Sequence, residues 1–179
     1  MNKVVVLLLL LCLCTSCASK NELSEYNAEA NQVYEKFLLN QISATYESSH
    51  HLSSAGLEWF SQGYDDFVFL IDDINGDGKV ELVIHPRELF IFSFSGEKLV
   101  VIDGNINYTT LHNEYIFYYH RHLWGDETES AYRFDKDWNK QDYAYDGIFD
   151  LDEPEWISYQ IWLNEQEIFE LPYNPKAYN

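Results

Sequence analysis

Apolar residues Tyr26, Ala30, Val33, Tyr34, Phe37 and Leu38 recur at spacings of three and four. That is the period of an amphipathic helix, with Asn27, Glu29, Asn31, Gln32, Glu35 and Lys36 assigned to its wet side. Ser24 or Asn27 would cap it, and it would end near Ser43. Residues 47–54 are a polar stretch with His50-His51, while Leu57, Trp59 and Phe60 suggest a short helical turn. From Asp66 the pattern changes. Phe67 to Ile71 and Val80 to Ile84 are runs rich in β-formers, as in a buried central strand. Leu89 to Phe94, a Ser95-Gly96 turn and Lys98 to Ile102 predict a hairpin, and Asp103-Gly104 predicts a further turn. Further strands are expected at 107–111, 114–122, 131–135, 141–145 and 159–163. Turn signals return about every ten residues, the spacing of an antiparallel meander. The expected fold class is α+β, with the N-terminal helix packed on an antiparallel meander of about six to eight strands.

Ahead of the helix stands a different kind of segment. Met1-Asn2-Lys3 is a positive start, and Val4 to Leu13 is almost wholly apolar. A mature transmembrane helix needs roughly 20 such residues, so this run has the length of a signal-peptide core. Thr15-Ser16-Cys17 follows, and its small residues before a cysteine resemble the lipobox of bacterial lipoproteins. Cys14 departs from that pattern, which prefers Leu there. The resemblance implies cleavage before Cys17 and acylation of Cys17, hence a membrane anchor in the bacterial cell envelope. The three cysteines, Cys12, Cys14 and Cys17, all lie in or at the end of this leader. The mature chain would therefore form no internal disulfide, and a lone N-terminal cysteine fits lipidation better than secretion. The expected division is a signal peptide over 1–16, a lipidated Cys17 with a tether over 17–25, and one domain over 26–179.

Charge narrows the possible partners. The 179 residues carry 30 Asp+Glu against 11 Lys+Arg, a formal net charge of −19. Nucleic acid is excluded as a partner, because phosphates require Lys and Arg. Cations and a basic protein or peptide remain compatible. With 46% hydrophobic residues the chain is too apolar to be disordered.

One decapeptide carries recognisable chemistry: Asp73-Ile74-Asn75-Gly76-Asp77-Gly78-Lys79-Val80-Glu81-Leu82. Oxygen side chains fall at loop positions 1, 3, 5 and 9, with glycine at 6. Calcium takes six to eight oxygens, and a tight loop presents alternate side chains to one centre. Asp73, Asn75, Asp77, the Lys79 carbonyl and Glu81 are the expected ligands of one Ca2+. Three carboxylates crowded without a cation would repel one another. Position 12 is Ile84, where an EF-hand has a bidentate Glu, and the flanks read as strands. The loop therefore resembles the strand–loop–strand calcium loops of FG-GAP and VCBS-type repeats, over residues 67–84. A single copy excludes a propeller, which needs several blades. The helix with Tyr34, Phe37 and Leu38, followed by this loop, is also similar to a group of secreted bacterial proteins, many of them lipoproteins. That likeness implies a calcium loop set in a sheet behind a helix, and no activity. Asp72 and Val80 depart from its usual residues without removing a ligand. A plain Asn-Gly hairpin turn without metal is the competing reading.

Other features carry less. His120 and His122 alternate on one strand, half of a zinc set that His85 or His112 would have to complete. Asp146, Asp150, Asp152, Glu153 and Glu155 lack the alternation of the loop and read as a solvated acidic stretch. Tyr115, Phe117, Tyr118, Tyr119, Trp124, Trp138 and Trp156 suit packing better than a sugar or peptide platform. No nucleophile motif and no His-Glu-x-x-His helix is present, and no catalytic pair stands out among 30 acids. The expectation is a non-enzymatic envelope module, structural or binding. An envelope hydrolase acting on glycans or peptides is the alternative.

Overall fold

The computed structural model describes residues 3–48, 51–61, 66–86, 88–96, 98–107, 109–112, 115–121, 127–143 and 154–167. It is a mixed α/β fold with few helices. Helix α1 (Lys3–Leu38) is followed by β1 (Ala44–Ser48), β2 (His51–Ala55) and the one-turn α2 (Leu57–Phe60). Then come β3 (Val68–Asp72), β4 (Glu81–His85), β5 (Glu88–Phe94), β6 (Leu99–Asn107), β7 (Thr109–His112), β8 (Tyr115–Arg121), β9 (Glu127–Phe134) and β10 (Lys140–Tyr143). The two-residue β11 (Ile157–Ser158) runs into α3 (Tyr159–Glu165).

These strands form two sheets among the described residues. One has seven strands in the order β11-β3-β4-β5-β6-β1-β2, and the other has four in the order β10-β9-β8-β7. Within each, consecutive strands from β3 to β6 and from β7 to β10 pair antiparallel, as a meander does. Two features depart from a single meander. The pattern breaks between β6 and β7, where the chain leaves one sheet for the other. The β1–β2 hairpin joins the large sheet through a parallel pairing, Thr45 opposite Val100.

The large sheet is covered on both faces, which explains its unbroken apolar runs. Successive side chains of a strand point to opposite faces. Along β4, Leu82 and Ile84 enter one core while Val83 enters the other. Along β5, Phe90, Phe92 and Phe94 enter the first, and Leu89 and Ile91 the second. The first core also holds Ala30, Tyr34, Phe37 and Leu38 of α1, Leu57 and Phe60 of α2, and Tyr159 and Leu163 of α3. Phe92 packs between two helical elements there: its ring centroid lies 4.9 Å from Phe37 and 5.0 Å from Phe60. The second core joins Leu70, Val83 and Ile91 to Leu111, Ile116, Tyr132 and Phe134 of the small sheet. Asp103 adds a polar tie between sheets, accepting from the Tyr132 hydroxyl at 2.6 Å and pairing with Lys140 at 2.9 Å.

Several local expectations are corrected. The polar stretch 47–54, to which no element is assigned from the sequence, contributes to both strands of the β1–β2 pair. Asp103-Gly104 does not turn the chain. Strand β6 runs through it, and two register shifts against β5 absorb the extra residues. The segment 159–163 is helical. Ser158 caps it by accepting from the Ile161 N–H, and Tyr159 and Leu163, four apart, are buried on one side. Helix α1 ends at Leu38, short of Ser43, and Asn40 follows with φ 55°. At its other end α1 continues through residues 18–25, where a tether is expected. The side chain of Cys17 lies outside the described residues. Among the described residues no helix is long and apolar enough to cross a membrane.

Candidate metal site

The loop between β3 and β4 is a short excursion from a closed ladder. Asp72 pairs with Glu81 at its base, and residues 73–80 protrude beyond. Two glycines make the path possible: Gly76 has φ 75° and Gly78 φ 87°, both left-handed. Asp73 organises the turn. Its Oδ1 accepts from the Gly76 and Asp77 N–H groups at 2.8 and 3.2 Å, and its Oδ2 from the Gly78 N–H at 2.8 Å. Asn75 Oδ1 accepts from the Asp77 N–H at 3.2 Å, and Asp77 Oδ1 from the Lys79 N–H at 2.8 Å. Asp72, the extra acid, is exposed and accepts from the Asp73 N–H at 2.8 Å.

Glu81 is the unusual member. It is 1% exposed, yet its carboxylate has one hydrogen bond among the described residues, from the Ile74 N–H to Oε2 at 3.1 Å. Burial pushes its pKa up to about 8, and the charges of Asp77 and Asp73 add to that. The Ile74 N–H and Lys79 act in the other direction. A buried anion beside two further anions is costly unless it is neutralised by a proton or a cation. Among the described residues, the ammonium paired with a loop carboxylate is that of Lys79. It is half exposed, sits 3.7 Å from Asp77 Oδ2, and lies over the Tyr26 ring at 5.1 Å. It does not reach Glu81.

The five expected ligands therefore lie on one eight-residue excursion and its first β4 residue, and the loop joins three parts of the fold. Among the described residues, however, no three His, Cys, Asp or Glu side chains are drawn together closely enough to hold a metal ion. Asp73, Asp77 and Glu81 are turned onto backbone N–H groups instead. Each carboxylate oxygen has two acceptor positions; both are taken on Asp73 Oδ1, while Asp73 Oδ2, Asp77 Oδ1 and Glu81 Oε2 each accept one N–H and keep capacity for a cation. The donor set is all oxygen, which suits a hard cation such as calcium.

Residues outside the decapeptide complete the surroundings. Asn27, expected on the wet side of α1, faces the loop: its Nδ2 donates to the Gly78 carbonyl at 3.0 Å and its Oδ1 accepts from the Val80 N–H at 3.2 Å. The Tyr34 hydroxyl donates to the Val80 carbonyl at 2.7 Å and accepts from the Phe94 N–H. Burial and the nearby Glu81 push the Tyr34 pKa upward. The signal for Asn27 was present in the helical period, because 27, 30 and 34 share a face. From the second sheet, the Lys136 carbonyl accepts from Asn75 Nδ2 at 3.4 Å. Nothing local in the sequence announces that contact.

Of the other candidates, His85 is partly buried, which lowers its pKa, and its ring lies 5.7 Å from that of Trp156. Trp138 and Trp156 pack against the second core. Glu155 is exposed. The side chains of His112, Tyr115, Phe117, Tyr118, Tyr119 and His120 lie outside the described residues, as do His122, Trp124, Asp146, Asp150, Asp152 and Glu153. Compared with protein-family models, curated proteins and solved structures, the chain matches none.

Proposed function

We propose that this protein is a bacterial envelope lipoprotein, anchored through an acylated Cys17, whose domain holds one structural Ca2+ in the loop Asp73–Glu81. In this reading α1 packs on the large sheet, and the domain is a non-enzymatic structural or binding module. Its acidic surface would favour a basic protein or peptide as partner. The observation that carries the metal assignment is Glu81, a buried carboxylate beside Asp73 and Asp77 that accepts a single N–H among the described residues. A divalent cation bound there offsets three carboxylates and draws the Lys79 carbonyl and Asn75 Oδ1 into the same shell. The role is structural because the ligands span the base of a β3–β4 ladder, so that binding fixes two central strands.

The test is thermal unfolding of the full chain in detergent, with EDTA and with about 2 mM calcium, above the weakest extracellular sites. Tenfold saturation contributes roughly 1.4 kcal/mol, a rise of about 3–6 °C in Tm for a chain of this size. Asp77→Ala is expected to abolish the rise. An unchanged Tm, with no calcium taken up in calorimetry, would leave a plain turn.

A further inference from the structure

The Asn27 side chain bridges the two neighbours of Lys79, with its Nδ2 on the Gly78 carbonyl and its Oδ1 on the Val80 N–H. Peptide units are trans, so the C=O of a unit points away from its N–H. The Val80 N–H points to α1, and therefore the Lys79 C=O points away from α1. The Gly78 carbonyl also points to α1, so the Lys79 N–H points away, and it meets Asp77 Oδ1 at 2.8 Å. Both backbone groups of Lys79 are thus turned toward the side on which the loop carboxylates lie. Tyr34 holds the next carbonyl, that of Val80, on the helix side. Leu23 closes over Gly78, where an added Cβ would meet Leu23 Cδ2 at 2.8 Å.

We propose that Asn27 of helix α1 is a positioning residue of the cation site: by holding the Gly78 carbonyl and the Val80 N–H it presets the Lys79 carbonyl as a ligand, so that cation binding and the docking of α1 are coupled. This rests on the calcium reading of the loop. Coupling between two binding events is reciprocal. A cation that binds more tightly to the preset loop must tighten α1 onto that loop by the same factor. Since α1 is the helix that leads back to Cys17, calcium would set how firmly the domain is held to the segment that carries its anchor.

The experiment measures calcium affinity by calorimetry on the full chain in detergent, for wild type, Asn27→Ala, Tyr34→Phe and the control Asn31→Ala. Asn31 is exposed on the same helix. Hydrogen exchange of α1 amides is followed with EDTA and with calcium. Losing the two bonds of Asn27 is expected to weaken calcium binding about three- to tenfold, and Tyr34→Phe about twofold to fivefold, with Asn31→Ala unchanged. In wild type, calcium is expected to slow exchange over residues 24–34 by a similar factor. A purely structural role for Asn27 would lower Tm in EDTA without moving the affinity of the folded protein. Calcium binding that is equal in wild type and Asn27→Ala, with exchange of α1 unaffected, would overturn the coupling while leaving the calcium site intact. No calcium binding by wild type would overturn both. Should Asn27→Ala fail to fold, the wild-type exchange decides: calcium bound without slowing α1 refutes the proposal.

Discussion

The buried Glu81 carboxylate makes a quantitative prediction about the metal-free protein. Its pKa is raised from 4.5 to about 8 by burial and by Asp77 and Asp73. Between those values the folded state keeps a proton that the unfolded chain has released. The stability this contributes is complete below pH 4.5 and is lost as pH rises through about 8. His85 acts in the opposite sense. Its pKa lies below the ordinary 6.5, so its effect is complete above that pH. Among the described residues, the window from pH 6.5 to 8 therefore isolates Glu81. At about 1.4 kcal/mol per pH unit, the metal-free protein should lose on the order of 2 kcal/mol across it.

The assay is urea unfolding in EDTA at several pH values through that window, for wild type and Glu81→Gln. Wild type should weaken steadily toward pH 8, whereas Glu81→Gln, which carries no proton to lose, should stay nearly level. Calcium should reverse the trend, since it binds the ionised carboxylate and its affinity grows as the proton leaves. A wild-type stability in EDTA that is flat or rising over the window would refute the reasoning. So would a Glu81→Gln variant that falls as steeply as wild type.

Two further perturbations read the packing. Gly76 and Gly78 both have positive φ, but an added Cβ has open space at Gly76 and meets Leu23 at 2.8 Å at Gly78. Gly76→Ala should cost about 1–2 kcal/mol from backbone strain alone, and Gly78→Ala measurably more in the same urea titration, so that equal losses would deny the Leu23 contact. Phe92→Ala, which empties the space beside Phe37 and Phe60, should cost about 3–5 kcal/mol in urea, and a loss below 1 kcal/mol would deny that the first core is closely packed there.

How much of this was legible in the chain depended on where each segment lies. Strands β3, β4 and β5 were readable because they are buried on both faces, so their sequences are apolar without alternation. The β1–β2 hairpin was not. It lies at the edge of the sheet, and its strands mix Ser, Thr, Glu and His with Ala, Tyr and Leu, so no apolar run marks them. In 159–163 the apolar residues Tyr159, Ile161 and Leu163 alternate as in a strand, but Ile161 is 60% exposed. The Ser158 cap and the burial of Tyr159 with Leu163 settle the helix, and a cap is a weaker signal than a run of apolar residues. The loop was legible at its core because a tight oxygen-rich turn is encoded locally, each ligand candidate two residues from the next. Its surroundings were not. Asn27, Tyr34 and Lys136 are 46 to 61 residues distant along the chain from the atoms they bond.

That distribution bears on what the loop does in the fold. A turn that served only to reverse β3 into β4 would need Asn75-Gly76 and little else. This one receives Asn27 and Tyr34 from α1 on one side and the Lys136 carbonyl from the turn between β9 and β10 on another. It is the point where the helix and both sheets meet, and it carries Asp73, Asp77 and the buried Glu81 in a protein already at −19. Like charge gathered at a junction weakens every contact that converges on it, unless a cation is supplied there. Neutralising the loop then acts on three interfaces at once, whereas the same cation at an exposed hairpin would act on one. The physical expectation is that calcium raises the cooperativity of unfolding along with its midpoint, since elements that could otherwise open separately are tied to one ligand shell.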